Sequence, residues 1–249
     1  MALEEKQRIF TFWDQGFANA PDIVKICHQS LLEHYNPLLE TVVVLTEENL
    51  PHYVDLPGHM IDRYRKGVLS KTHLSDYIRA KLLCEHGGLW VDATVLFTRN
   101  LDHHQVFNRD FFTFQRKDSL PGDITSRWTC FFMGGKRHFP LLQLLTEFWE
   151  DYWKQEQMLL TYLLTDHIFY LGYQLNRKIR LALEACPKLQ LEIDALQGRL
   201  NKPYDPEECS KLLATDPICK LSYKLPLLVG EKGRDSYFDW LKKEFLTNQ

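Results

Sequence analysis

The chain has 249 residues, of which 45% are hydrophobic and 25% charged, with a formal net charge of −3. These are the values of a folded globular protein large enough to bury a sizeable core, and they exclude disorder and a basic surface for wrapping nucleic acid. No apolar run approaches the ~18 residues of a spanning helix, and the opening MALEEKQR lacks the apolar centre of an export signal, so a cytoplasmic protein is expected. The six cysteines form no CxxC pair and fall mostly in apolar segments, which reads as reduced, buried thiols without zinc.

In chain order, Arg8 to Trp13 predicts a first strand that runs into the polar loop Asp14-Gln15-Gly16. Pro21 then opens a helix whose Ile23, Cys27 and Leu31 recur every fourth residue. Thr41 to Leu45 is β-branched and almost wholly apolar, the pattern of a parallel strand buried on both faces. Strand, helix and strand joined by short links make a right-handed βαβ unit. Glu47 and Glu48 read as solvated loop charges, Leu50-Pro51 as a short helical stretch and Pro57-Gly58 as a break.

The segment Ser70 to Thr98, SKTHLSDYIRAKLLCEHGGLWVDATVLFT, predicts a helix, a Gly-Gly break and a strand. Ser70 or Thr72 caps the helix, and the glycines after His86 can adopt the left-handed conformation that closes it. Helical periodicity puts Asp76 and Arg79 on one polar stripe, opposite Leu74, Tyr77 and Ile78. Along the strand, Leu89, Val91, Ala93, Val95 and Phe97 face a core, and Trp90, Asp92, Thr94 and Leu96 face the other way. Taken singly, Asp76 and Arg79 could be a surface ion pair and Asp92 a turn former. Together they offer a guanidinium fork, carboxylates for sugar hydroxyls and an oxygen ligand for a cation at one strand end.

Beyond this segment, His103 and His104 sit in a loop and, being adjacent, point apart, so a metal pair is not expected. Phe111 to Phe114 and Trp128 to Met133 predict two more strands, the second broken by Gly134-Gly135. Pro140 opens an amphipathic helix in which Trp149 and Trp153 either pack in the core or anchor at a membrane; the scarcity of basic residues favours the core. Gln157 to Tyr173 predicts a further helix carrying Asp166, which either contacts a sugar hydroxyl or is a paired structural carboxylate. The alternation in Cys219 to Lys224 puts Lys220, Ser222 and Lys224 on one side of a tail strand, facing either a pyrophosphate or solvent at a lysine-protected edge.

The string SDYIR followed by GGLWVDAT resembles the signature of glycosyltransferases with a DxD motif, of the family 32 type, and of the clostridial glucosylating toxins. The longer form, SKTHLSD through WVDATV, is similar to bacterial capsular polysaccharide synthesis proteins, and FWDQGFANAPDIV and VVVLTEENL resemble their first two strand-loop units. The resemblance implies an α/β fold of the GT-A, nucleotide-diphospho-sugar transferase type, with a mixed, mostly parallel sheet flanked by helices and a helical C-terminal portion. It implies one domain over residues 1–249, with a nucleotide-sugar-binding core at 1–135 and acceptor-side helices and tail at 136–249.

The implied activity is transfer of a hexose, with retention, from a nucleoside-diphosphate sugar such as a UDP-sugar to a saccharide acceptor in capsular or surface polysaccharide synthesis. Phe12 and Trp13 would hold the base, although Trp13 could equally be core. Arg79 would steady the phosphate or ribose, Asp76 the sugar hydroxyls, Trp90 the donor, and Asp92 the ribose and a metal. Lys220, Ser222 and Lys224 would meet the pyrophosphate, and Asp166 a sugar. The resemblance also implies Mn²⁺ or Mg²⁺ as cofactor and a lipid-linked acceptor reached by weak peripheral contact with the inner face of the cytoplasmic membrane. Thr94 stands where many relatives carry a second Asp, so Asp92 and Thr94 form a weak metal pair, filled mainly with the donor's own pyrophosphate. The same departure motivates a rival expectation, a non-catalytic sugar-nucleotide- or saccharide-binding protein of the same fold.

Overall fold

The computed structural model describes residues 6–120, 122–228 and 234–247. Pro121 of the expected Pro-Gly loop and the first five residues of the charged opening lie outside them.

A five-stranded sheet organises the fold. It is built from β1 (Gln7–Phe12), β2 (Glu40–Leu45), β3 (Gly88–Val91), β5 (Phe111–Gln115) and β6 (Trp128–Gly135) in the order β2-β1-β3-β6-β5. β1 pairs in parallel with β2 and β3, and β6 runs antiparallel to both β3 and β5. All strands but β6 therefore run one way, the mixed and mostly parallel sheet expected. A second sheet pairs β4 (Val95–Phe97) antiparallel with β7 (Ile218–Lys220).

The helices are α1 (Asp22–His34), α2 (Gly58–Arg65), α3 (Lys71–His86), α4 (His103–Phe107), α5 (Pro140–Gln155), α6 (Leu164–Leu175), α7 (Arg177–Glu184), α8 (Pro206–Thr215) and α9 (Tyr237–Lys242). Alternation along the strands sorts side chains onto two cores. Phe10, Trp90, Phe111 and Met133 pack under α2, α3, α5, α6 and α7, whereas Ile9, Leu89, Val91, Phe112 and Phe132 pack on the opposite face with Leu31, Val106 and Leu189. A third cluster joins α1 to Leu96, Cys219 and the C-terminal Tyr237, Phe238 and Leu241.

Several sequence expectations change. β2 is an edge strand with half-buried valines, because its outer side has no partner among the described strands. Pro57-Gly58 opens α2 instead of breaking the chain, since a proline tolerates the helix start, where no intrahelical N–H bond is lost. His103 and His104 begin a short helix, and His103 Nδ1 meets Glu40 Oε1 at 2.8 Å. Gly134 and Gly135 continue β6: a Cβ on Gly134 would lie 2.9 Å from the Gly88 carbonyl oxygen, so glycine permits the close approach to β3. α6 begins only at Leu164, seven residues later than expected, and Met158 and Leu160 before it are exposed. Trp149 and Trp153 are fully buried and stacked, which places them in the core. The cysteines are free thiols, and all but the half-buried Cys130 are buried. Among the described residues no helix is long and apolar enough to cross a membrane.

Candidate active site

α3 is fixed at both ends by its own sequence. Ser70 accepts the His73 backbone N–H at the start, and Gly87, at φ 66°, donates its N–H to the Leu83 carbonyl at the end. Gly88 follows at φ 99°, and a Cβ there would come within 2.4 Å of the Arg8 carbonyl oxygen. Only glycine lets β3 lie this close to β1. That contact sets where β3 begins, and Asp92 falls just past its carboxyl end.

The nine-residue strand expected from Leu89 to Phe97 is in fact two strands hinged at Asp92-Ala93-Thr94. The Val95 N–H donates to the Asp92 carbonyl at 3.0 Å, closing a turn, and the Asp92 N–H donates to the Phe131 carbonyl at 2.9 Å. The turn sends β4 off to pair with β7, opposing Val95 to Lys220, and the Leu221 N–H donates to the Thr94 carbonyl at 2.8 Å. Trp90 and Leu96, assigned to the non-core face, are buried as deeply as their neighbours because each face of the broken strand has its own core.

Asp92 is the centre of a charge network. Its Oδ1 accepts the Trp90 indole N–H at 2.8 Å and lies 3.3 Å from Arg79 Nη2; its Oδ2 accepts Lys220 Nζ at 2.9 Å. Lys220 Nζ also donates to Thr94 Oγ1 at 2.7 Å and sits 4.9 Å above the Phe131 ring. Arg79 Nη2 reaches Asp76 Oδ1 at 3.1 Å, Nη1 donates to the Cys130 carbonyl at 2.8 Å, and the guanidinium lies over the Trp90 ring. The polar stripe of α3 is thus buried: Asp76 is 8% and Arg79 5% exposed. The fork expected to grip a donor is committed to two carboxylates and a carbonyl of the protein.

Burial pushes the Asp92 carboxyl up, but the Arg79 and Lys220 charges with the Lys220 and Trp90 hydrogen bonds outweigh it and hold the pKa below its ordinary value. Asp76 goes the other way, because its burial exceeds what Arg79 returns. Asp166 is also pushed up by burial, only partly offset by the Ser126 N–H that donates to its Oδ1 at 2.7 Å. Three carboxyls in one site are thereby split into one held ionised and two drawn toward the neutral form.

Around the turn lie two joined clefts of about 280 and 520 Å³ that share Thr72, Arg79, Asp92, Thr94 and Tyr223. Phe12, Trp13 and Trp90 line the smaller, and Asp76, Asp166, Lys220, Ser222 and Lys224 line the larger. Every candidate read from the sequence therefore borders one connected space at the carboxyl ends of the strands, where open α/β sheets bind ligands. A larger cavity of about 770 Å³ lies at the opposite ends of the strands, around Arg8, Gly87 and Arg137, and none of those candidates lines it.

Four contributors were not singled out from the sequence. Lys71 forms an ion pair with Asp14 at the rim of the smaller cleft, Tyr223 meets the Trp13 ring edge-on with centroids 5.1 Å apart, and Phe131 lies beneath Lys220. Nothing in local spacing links such distant residues; Lys71, one position past the capping Ser70, was the most accessible of them. The expected six-residue tail strand is three residues long, yet Lys220, Ser222 and Lys224 still face the larger cleft together.

The side chains do not fit the divalent cation that the resemblance implies. Asp92 and Thr94, the expected ligands, both hold the Lys220 ammonium, and the described residues contain no group of three or more His, Cys, Asp or Glu able to hold a metal.

A family profile described as "Capsular polysaccharide synthesis protein" matches residues 2–241. The chain belongs to the capsular polysaccharide synthesis family. Among curated proteins, "Glycosyltransferase afumC" of Aspergillus fumigatus is 30% identical over 105 residues, covering 39% of this chain and 27% of that protein. This family member thus spans only about a quarter of that relative. Among solved structures, the glycosyltransferase GlyE of Streptococcus pneumoniae TIGR4 aligns with 97% of this chain and 60% of its own at 11% identity and a TM-score of 0.49. "PaToxG Glycosyltransferase" aligns with 71% of this chain and 73% of its own at 12% identity and a TM-score of 0.42.

Proposed function

We propose that this capsular polysaccharide synthesis protein is a retaining glycosyltransferase that moves a hexose from a nucleoside-diphosphate sugar, with UDP the first choice of carrier, to a saccharide hydroxyl. The observation that carries the reading is the Asp92–Thr94 turn, which sits between two joined clefts with an anchored carboxylate on one side and an ammonium on the other. The smaller cleft, with Trp13 and Tyr223 meeting at its mouth, suits a base and ribose. The larger, lined by Asp76, Asp166, Lys220 and Lys224, suits the diphosphate, the hexose and the incoming hydroxyl.

In this reading Asp92 accepts a ribose or sugar hydroxyl at the sill between the clefts. Arg79 and Trp90 position it and keep it ionised, and Asp76, in its drawn-up state, serves as an additional hydroxyl partner. A covalent glycosyl-enzyme is disfavoured, because Asp76 faces the Arg79 guanidinium and Asp166 is occupied by the Ser126 N–H. The acceptor hydroxyl instead attacks the anomeric carbon on the face from which the diphosphate leaves. The C–O bond to the leaving phosphate breaks, its electron pair goes to the phosphate oxygen, and that oxygen takes the acceptor's proton.

Residues 1–135 would act as the nucleotide-sugar core and 136–249 as the acceptor side and tail. A lipid-linked saccharide at the inner face of the cytoplasmic membrane, met by weak peripheral contact, completes the reading. The rival, a binding protein without turnover, rests on Thr94. A thermal-shift screen of nucleoside-diphosphate sugars tests both, since a ligand at ~100 times its Kd stabilises by ~2.7 kcal/mol. A shift with release of free hexose into water supports the transferase. A shift without release supports the rival, and no shift from any donor contradicts both.

A further inference from the structure

We propose that Lys220 replaces the divalent cation of this site: its ammonium is the fixed positive charge that receives the leaving diphosphate, and turnover needs no metal. The inference rests on the donor reading above and deepens it.

The position of Lys220 is set by backbone, not by a wandering surface side chain. The β4–β7 register opposes it to Val95, and the Leu221 N–H to Thr94 carbonyl bond ties the next residue to the turn itself. From there Nζ bridges Asp92 Oδ2 at 2.9 Å and Thr94 Oγ1 at 2.7 Å, the two atoms a metal on this motif would need. Hard cations sit ~2.0–2.6 Å from their oxygens. An ion on this pair would press against the ammonium, so lysine and metal exclude one another.

The charge of Asp92 is also fully engaged. Arg79 and the Trp90 N–H hold Oδ1, and Lys220 holds Oδ2, so two cations already flank one carboxylate. Affinity for a divalent ion falls with the ligand charge offered, and here a neutral hydroxyl is the only other ligand on the turn. Four other acids line the clefts: Asp14 is paired with Lys71, Asp76 faces Arg79, burial draws Asp166 toward its neutral form, and Asp194 is exposed to solvent on the wall that carries Lys220.

An ammonium has three N–H donors. Asp92 and Thr94 take two, which leaves the third for a phosphate oxygen entering the larger cleft, with Lys224 as a second cation on the same wall. As the glycosidic bond breaks and its electron pair moves to the phosphate, Lys220 stabilises the growing charge by a hydrogen bond without giving up its proton.

Isothermal titration calorimetry of UDP, GDP, CDP and ADP, each with EDTA and then with Mn²⁺, tests this on wild type, Lys220→Met and Lys220→Arg. Manganese binding is followed by electron paramagnetic resonance, and thermal melts check folding. Wild type should bind its preferred diphosphate with equal Kd in both conditions and take up no Mn²⁺. Lys220→Met should bind it about tenfold or more weakly in EDTA, the scale of a lost charge-assisted contact. It should gain an Mn²⁺ signal when the diphosphate is present, and Lys220→Arg should retain most of the affinity. A wild-type Kd that tightens tenfold with Mn²⁺ overturns the proposal and leaves the donor reading standing, as does wild-type affinity in a folded Lys220→Met. Failure of all four diphosphates to bind wild type overturns the donor reading, and this inference with it.

Discussion

The two walls of the cleft are made in opposite ways. The wall of β1, α3 and β3 comes from one continuous stretch, Ser70 to Val91, laid against the first strand. Its ends are fixed by a serine cap and two left-handed glycines, and its charged groups are buried against each other. The facing wall comes from Asp194, Gln197 and the tail from Lys220 to Leu225, and is held by a three-residue strand and single bonds such as Ser222 N–H to Gln197 Oε1 at 2.7 Å. The first wall places an anion; the second delivers its counter-charge from 128 residues away. A rigid, internally neutralised scaffold can therefore be altered only at a cost to folding, whereas the delivered wall can be altered at a cost to binding alone.

Arg79→Lys should break the first wall most severely. An ammonium cannot serve Asp76, Asp92 and the Cys130 carbonyl together, and a damaged buried ion pair costs about 3–5 kcal/mol. Differential scanning calorimetry should show a loss on the order of 10 °C for a chain of this size. The donor-binding effect expected from sequence should then appear only through that destabilisation.

Asp92→Asn separates folding from chemistry. The rate of donor hydrolysis should fall by about two orders of magnitude or more, the scale of a lost preorganised contact. The place of Asp92 on the strand face opposite the apolar set would, by itself, leave the melting temperature unchanged. The packing instead predicts a drop of a few degrees, because Arg79 keeps Asp76 but Lys220 keeps only Thr94. Acid should act likewise. Since the Asp92 pKa is depressed in the fold, its contribution is present above the ordinary carboxylate range and is lost as pH falls through its folded value, which a pH series of melts can follow.

On the delivered wall, Tyr223→Ala should leave the melting temperature within about a degree while weakening nucleoside-diphosphate binding by roughly three- to tenfold, as a stacking surface beside Trp13 is removed. Equal affinity by calorimetry would mean that the base lies elsewhere. The smallest effect belongs to Asp166→Asn. Its carboxyl is raised by burial, so its ionisation costs stability as pH climbs above the ordinary carboxylate range. The amide can still accept the Ser126 N–H through its oxygen. The variant should melt slightly higher than wild type at pH 7, with the gain vanishing toward pH 4.

The contrast also explains what the sequence disclosed. The α3-turn-β3 segment was legible because caps, left-handed glycines and helical period are local signals, and all the site residues they suggested border one space. The break at Asp92 was hidden, since the apolar alternation runs on unchanged from Val91 to Val95 and only the distant β7 shows that the chain changes sheets. The edge position of β2 was hidden for a similar reason: a run of valines reads alike at the edge and in the centre. Burial of Asp76 and Arg79 could not be read from their stripe, because the Cys130 carbonyl of β6 and Thr165 of α6 meet it from far along the chain. Lys220 stood out from its alternation, but its contact with both Asp92 and Thr94 needed the fold.

The most direct measurement is proton NMR of nucleoside-diphosphate hexoses incubated in chelator with wild type and with folded Asp92→Asn. Wild type should slowly release free hexose from its preferred donor, with the donor's own anomer appearing first, and Asp92→Asn should release it about a hundredfold more slowly. Equal rates in the two proteins, or no release from any donor by wild type, would overturn the role given to Asp92 in a transferase site.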